Sequence, residues 1–355
     1  MTLRIDYARR RSALLPLLAA TLLWPALGHA QADCGSAGNP SRLTARSDND
    51  VYGRAKQDQG YSAGFAFAYV SPTFEGGAAA PCGPRLVRWL DGHLGWLQID
   101  GAQQRNLVLT GTQGIYTPTD GTRADLILDD RPYAGVMMFG VGANSRRGAH
   151  LATTQLRLGM VGPSAAGEWA QDNVHRIFGR ARFKGWDNQL RDEVLVQVQH
   201  ERLWRFKRDE RSNGWGWDLT GHAGGSLGNR TTFANTGAEV RWGKFLPDDF
   251  GTDPQRPAGE NSAPSARAFD GSRWAWHLFS SIDARWVLQD ITLDGNTWKD
   301  SHSVDARDAV ADFSVGIAVT RGRWKLAGAH VTRTREFEGQ ADTPVFGSVS
   351  LSVAL

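Results

Sequence analysis

Val194-Leu195-Val196-Gln197-Val198-Gln199-His200-Glu201 sets valine at every second position and, after Leu195, places an amide between them. Successive side chains of a strand point to opposite faces, so Val194, Val196 and Val198 share one face and Leu195, Gln197 and Gln199 the other. A packed soluble core has no use for a row of amides, each of which needs a partner. A membrane barrel does: the valines face lipid and the amides face a mixed, partly polar lumen.

The same period of two extends outward in both directions. In Tyr61 to Val70, the large residues Tyr61, Phe65, Phe67 and Tyr69 share a face with Ala63, against Ser62, Gly64, Ala66 and Ala68. At the C-terminus Val349, Leu351, Val353 and Leu355 alternate with Ser348, Ser350, Ser352 and Ala354. Exported barrels often end in such a strand, which the outer-membrane barrel-assembly machinery reads, although here Leu355 stands where an aromatic is usual. With comparable stretches between them, the pattern predicts an all-β, transmembrane antiparallel β-barrel of about 12 strands. Phe65, Phe67 and Leu351 are expected to face lipid.

The first residues read as a Sec-type signal peptide. Four arginines up to Arg11 precede an apolar run from Ala13 to Leu27, closed by Ala30-Gln31-Ala32. Residues 1–32 are therefore expected to be removed, leaving 33–355 as a single outer-membrane barrel domain. Of 40 Lys+Arg and 37 Asp+Glu, the leader holds four Arg and one Asp, which leaves 36 of each. The basic balance belongs to the leader, and nucleic acid is not an expected partner. Cys34 and Cys82 allow one peripheral disulfide and no disulfide scaffold. Forty-one glycines and 14 tryptophans, with no second long apolar run, suit many strands and turns.

Two segments break the strand rhythm. Pro247 to Gly271, rich in Pro, Asp, Gly and Ser, reads as a long flexible loop. Gly162 to Gly179 reads as a short helix at the barrel rim, with Ala170, Val174, Ile177 and Phe178 as its apolar stripe. Glu168, Gln171 and His175 gather along one edge of that stripe.

Candidates for chemistry are the cluster Asp48-Asn49-Asp50, the strand hydroxyl Ser62 and the helix imidazole His175. Each has an ordinary structural role as alternative: a solvated turn, strand packing, a surface histidine. An EF-hand fails, because Tyr52 and Gln59 occupy positions that need oxygen ligands and a bidentate Glu. A lipase elbow fails, because Gly162-Pro163-Ser164-Ala165-Ala166-Gly167 lacks the G-x-S-x-G spacing. The nine histidines form no H-E-x-x-H zinc motif.

Taken in order, Ser47-Asp48-Asn49-Asp50-Val51-Tyr52, Gly60-Tyr61-Ser62-Ala63-Gly64, Gln113-Gly114-Ile115-Tyr116-Thr117-Pro118 and Arg131-Pro132-Tyr133-Ala134-Gly135 form a recognisable series. Val161-Gly162-Pro163-Ser164, Gln171-Asp172-Asn173-Val174-His175-Arg176 and Gly185-Trp186-Asp187-Asn188-Gln189 continue it. The series resembles the outer-membrane lipid A 3′-O-deacylase family (LpxR), from about residue 45 to the C-terminus. That resemblance implies a twelve-stranded barrel in the Gram-negative outer membrane and a calcium-dependent ester hydrolase. The substrate would be lipid A of lipopolysaccharide, losing its 3′-linked acyloxyacyl chain, and the site would lie between the barrel wall and the loop helix.

By the same resemblance His175, Asp50, Asn49 and Ser62 are the catalytic set, with Asp50 as metal ligand to Ca2+. Gln171 and Arg123 are assigned to substrate binding, Arg123 standing near the position of a family lysine that this chain lacks. His175 suits general-base work because imidazole titrates near working pH. Whether Asp50 coordinates the ion or orients the imidazole is left open by the residues. Two rivals stand beside this reading: an outer-membrane phospholipase-type esterase with Ser62 as nucleophile, and a non-catalytic channel or structural barrel.

Overall fold

A backbone that crosses a bilayer must satisfy every amide internally, and a sheet does so only by closing on itself. In the computed structural model, which describes residues 39–52, 60–73, 85–177, 179–256, 259 and 273–355, it does so with twelve strands. These are β1 (Arg42–Asn49), β2 (Gly60–Val70), β3 (Gln104–Thr117), β4 (Ala134–Arg147), β5 (His150–Val161) and β6 (Glu193–Glu210). The second half comprises β7 (Trp215–Gly228), β8 (Thr231–Lys244), β9 (Trp274–Asp290), β10 (Ala309–Arg321), β11 (Trp324–Arg333) and β12 (Val345–Ala354). Each pairs antiparallel with its sequence neighbour, and β12 closes on β1 with Arg42 opposite Ala354. The leader and both cysteines lie outside the described residues.

Alternation sorts the side chains as expected. Val194 and Val196 are exposed on the outer face while Leu195, Gln197 and Gln199 are buried inward. Phe67 and Leu351 are likewise exposed on the outside, at 58% and 46%. No described helix is long and apolar enough to cross a membrane.

One expectation about β2 needs correction. A bulge shifts the register between Tyr61 and Ala63. The extra residue turns Tyr61 inward, where its hydroxyl donates to Asp48 Oδ2 at 2.9 Å, while Ala63 keeps the outer face of Phe67.

The segment expected to be a flexible loop is, in its described part, a strap folded into the lumen. Phe245 to Arg256 leaves β8 at the end of the barrel that carries the strand termini Arg42 and Ala354. Asp248 accepts from Arg146 at 3.0 Å and from Arg205 at 2.5 Å. Asp249 pairs with Arg241 and, at 3.4 Å, with Lys325. Phe250 is 2% exposed between the guanidinium faces of Arg146 and Arg205. Acidic residues that look solvated in sequence are drawn in because Arg146, Arg205, Arg241 and Lys325, from four strands, meet them in the lumen.

Among the described residues, two helices longer than one turn lie between strands. Helix α1 (Arg85–Leu94), in the β2–β3 connection, was not foreseen; its Leu94 packs near Leu107 and Ala143. Helix α2 (Gly167–Ile177) follows β5 after a 3-10 turn at Pro163–Ala165 and corresponds to the expected helix. Its buried face differs from the expected stripe: Gly167, Ala170, Gln171 and His175 are buried, Ile177 is 78% exposed and Glu168 is exposed. Phe178 lies outside the described residues.

Candidate active site on the outer wall of the barrel

The register of the first four strands sets up one outward row. Asn49 lies opposite Ala63, Ala63 opposite Ile115, and Ile115 opposite Gly135. These residues share the outer face with Phe67 and Phe139, which are exposed further down the wall. Ile115 is nevertheless 0% exposed, because helix α2 lies over the row. Ala170 packs into one cluster with Ala63, Ile115, Tyr133 and Trp186.

Two glycines bring the helix that close. A Cβ on Gly135 would sit 2.8 Å from the backbone nitrogen of Gly167, and a Cβ on Gly167 would sit 2.7 Å from Gly135 Cα. Backbone therefore meets backbone at this crossing. Gln113 adds a tie from the wall, its Nε2 donating to Ala165 O at 2.7 Å. The helix lies against the outside of the wall rather than across the barrel mouth.

The helix then carries the candidate residues along the row. Gln171, 3% exposed, accepts a hydrogen bond from Trp186 Nε1 at 2.8 Å. Because an indole nitrogen only donates, the Gln171 oxygen must face it. The amide nitrogen is then buried without a hydrogen-bond partner among the described residues. One turn later His175 is 4% exposed, with its Nδ1 2.6 Å from Ala181 O and its ring edge-on to Phe183. A carbonyl can only accept, so Nδ1 carries a proton.

On the wall, Ser62 is 2% exposed and its hydroxyl meets that of Thr117, a buried residue on the same face as Ile115. The acidic cluster divides. Asp48 points inward to Tyr61 and Arg46, Asn49 lies on the outward row, and Asp50, 2% exposed, opens the 3-10 turn Asp50–Tyr52 that follows β1. Asn49, Ser62, Gln171 and His175 thus belong to one sector of the outer wall, with Asp50 next in chain to Asn49.

Arg123 borders that group through its backbone, its carbonyl oxygen standing 3.1 Å from where a Cβ on Gly185 would lie, next to Trp186. The arginine sits in the β3–β4 loop, half-exposed, with its guanidinium on Asp125. Asp120 in the same loop is held below the usual carboxylate range by bonds from the Thr122 hydroxyl and backbone. The Asp125 carboxyl is lowered as well, chiefly by its bond to Arg123.

Thr117, Tyr133, Phe183 and Trp186 complete the sector and had no role in the sequence reading, although three of them fall within quoted motifs. Among the described residues no group of three or more His, Cys, Asp or Glu side chains forms a metal cluster. Among the residues that the sequence assigns to the site, Asp50 carries a carboxylate and Asn49 and Ser62 carry amide and hydroxyl oxygens. All are hard oxygen donors, which calcium accepts alongside backbone carbonyls and water and which zinc does not favour.

A family model described as "Outer membrane protein LpxR" matches residues 14–355. Among solved structures the chain is similar to "LpxR from Salmonella typhimurium", with 17% identity, a TM-score of 0.67, and coverage of 88% of this chain and 100% of that one. The beta domain of the Bordetella autotransporter Brka shares 10% identity over 89% of this chain and 100% of that one, at a TM-score of 0.43. The translocator domain of autotransporter NalP from Neisseria meningitidis shares 9% over 97% and 98%, at 0.40. No curated protein matches the chain.

Proposed function

Because the chain belongs to the LpxR family of outer-membrane proteins, we propose that it hydrolyses the ester of the 3′-linked acyloxyacyl chain of lipid A. The observation that carries this reading is the buried imidazole on a helix laid against the lipid-facing wall, where an acylated substrate is found. Helix length supports bringing His175 to Asp50. From Gly167 to His175 a helix advances about 12 Å, and from Gly135 to Asn49 the row crosses three strand spacings, about 14 Å.

In this mechanism His175 Nε2 takes a proton from water, whose oxygen attacks the ester carbonyl. Ala181 O holds Nδ1–H and so steadies the ring and the imidazolium that forms. Collapse of the tetrahedral intermediate breaks the acyl C–O bond, and the imidazolium returns its proton to the departing alkoxide. The products are a carboxylic acid and the freed sugar hydroxyl. The Gln171 amide nitrogen donates to the developing oxyanion, while Ser62 and Thr117 order the water. Asp50, with Asn49 and a hydroxyl, would hold calcium; bound there, the ion would supply electrostatic stabilisation of the oxyanion.

The test is the mass spectrum of lipid A from a Gram-negative host that expresses the chain. The expected result is a loss equal to one acyloxyacyl group, absent with His175→Ala although that variant still folds as a heat-modifiable barrel. Unchanged lipid A with the wild-type chain, or full activity in His175→Ala, would overturn the assignment.

A further inference from the structure

The lumen above the strap holds a second chemical environment that the deacylase reading does not use. A cavity of about 210 Å3 lies inside the barrel between the strap tip at Pro254 to Arg256 and the rim residues Asp290 and Glu336. It is on the far side of the β2–β4 wall from helix α2: Gly114, Tyr116, Val136 and Met138 line it from within.

Seven arginines contribute to its wall. Arg46, Arg157, Arg285 and Arg333 line it from the strands, Arg230 and Arg307 from the rim, and Arg256 from the strap, against the two lining carboxylates of Asp290 and Glu336. On the wall itself Asp290 pairs with Arg230 at 2.9 Å and Glu336 with Arg333 at 3.2 Å, while further acids hold arginines from off the wall. Arg285 pairs with Asp283 at 2.9 Å and with Asp312, Arg333 with Asp312 at 2.6 Å, and Arg256 with Glu201 at 2.7 Å. Arg157 donates to Gln199 Oε1 at 3.2 Å and Thr112 Oγ1 at 2.9 Å. Guanidinium carries five donors in a rigid fork, and a carboxylate takes two at most. Fixed partners therefore hold the forks in place around the cavity, which has room for several waters at about 30 Å3 each.

We propose that this chamber binds a small soluble oxyanion, of the phosphate, sulfate or carboxylate class, independently of the lipid site outside. Planar forks held in place suit oxyanion recognition, because little side-chain ordering is required on binding.

The probe is radiolabelled inorganic phosphate, equilibrated by dialysis with the full chain in neutral detergent micelles, with chloride adjusted to constant ionic strength. Saturable uptake of one phosphate per chain is expected. Arg157→Gln should weaken it about ten- to a hundredfold, the worth of a lost charge-assisted hydrogen bond. Should that variant fail to fold, Arg307→Gln at the more exposed rim is expected to weaken uptake in the same direction. Uptake that does not saturate, equal binding by the folded variants, or binding of an alkyl phosphate but not of inorganic phosphate would overturn the proposal.

Discussion

Gly135→Ala tests whether the seat of helix α2 on the wall governs turnover. The new Cβ would lie 2.8 Å from Gly167 N and 2.9 Å from Gly167 Cα, where ordinary contact begins at 3.4 Å. Both obstructing atoms are backbone, so no side chain can swing aside and the helix must lift by about 0.5–1 Å. A displacement of that size at a reacting group costs about a hundredfold in rate. The barrel should survive, since overpacking at one site costs about 1–3 kcal/mol against twelve paired strands. Gly111→Ala is the control: it lies on the same outer face, and its Cβ would meet only Phe139 at 3.6 Å. Deacylation of lipid A in purified outer membranes would be followed by mass spectrometry, with heat-modifiable mobility as the folding check. Gly135→Ala turning over within twofold of wild type while folded would refute the argument, as would an equal loss in Gly111→Ala.

Other outcomes follow from the same geometry. Ser62→Ala should retain measurable activity, about a tenth to a hundredth of wild type, because its hydroxyl is a supporting group; near-abolition would move the Ser-nucleophile esterase ahead. Excess chelator should stop deacylation without unfolding the barrel, since closure rests on strand pairing, and full activity in chelator would exclude calcium at Asp50. Asp248→Asn with Asp249→Asn should release the lumen strap about a hundredfold more often, taking about 3 kcal/mol for breaking its buried pairs. Planar-bilayer conductance should rise accordingly, and an unchanged trace would show that the strap is held otherwise. Burial raises the Asp249 carboxyl but the charges of Lys325 and Arg241 more than offset it, holding it well below 3.8. Its contribution is thus complete above the ordinary value and lost only as pH falls through the depressed one, so strap release by acid should begin below pH 3.8.

The strands were legible because their pattern is unbroken where it matters. From Val194 to Gln199 each residue lands on the face that alternation assigns it. Tyr61 was misassigned because a bulge inserts one residue without any mark in composition. The Pro247 to Gly271 segment looked like solvent-exposed loop because its Asp and Pro residues are local signals of turns. The arginines that draw it inside lie on distant strands and meet only when the sheet closes. The helix was found but its orientation was not, for a physical reason: a stripe rule assumes water outside. On a lipid-facing wall Ile177 is at home outward, and the polar residues Gln171 and His175 take the protected side. Asn49, Ser62 and His175 stood out by residue type and took their roles, with Gln171, from motif resemblance; strand register places Asn49 and Ser62 on the wall, and helix packing lays Gln171 and His175 against it. The pairing of Gly135 with Gly167 has no sequence signature, because a close approach between backbones is invisible until both are placed.

The helix on the outer wall also sets the dimensionality of the encounter. On the proposed reading, a site on the lipid-facing wall meets its substrate by lateral diffusion within one leaflet, so the relevant concentration is a mole fraction in the membrane and not an amount per volume of water. Turnover by such an arrangement should follow how densely the leaflet is packed and how fast its lipids exchange neighbours. Diluting the membranes in buffer would leave the rate per barrel unchanged, whereas diluting the substrate with inert lipid would lower it.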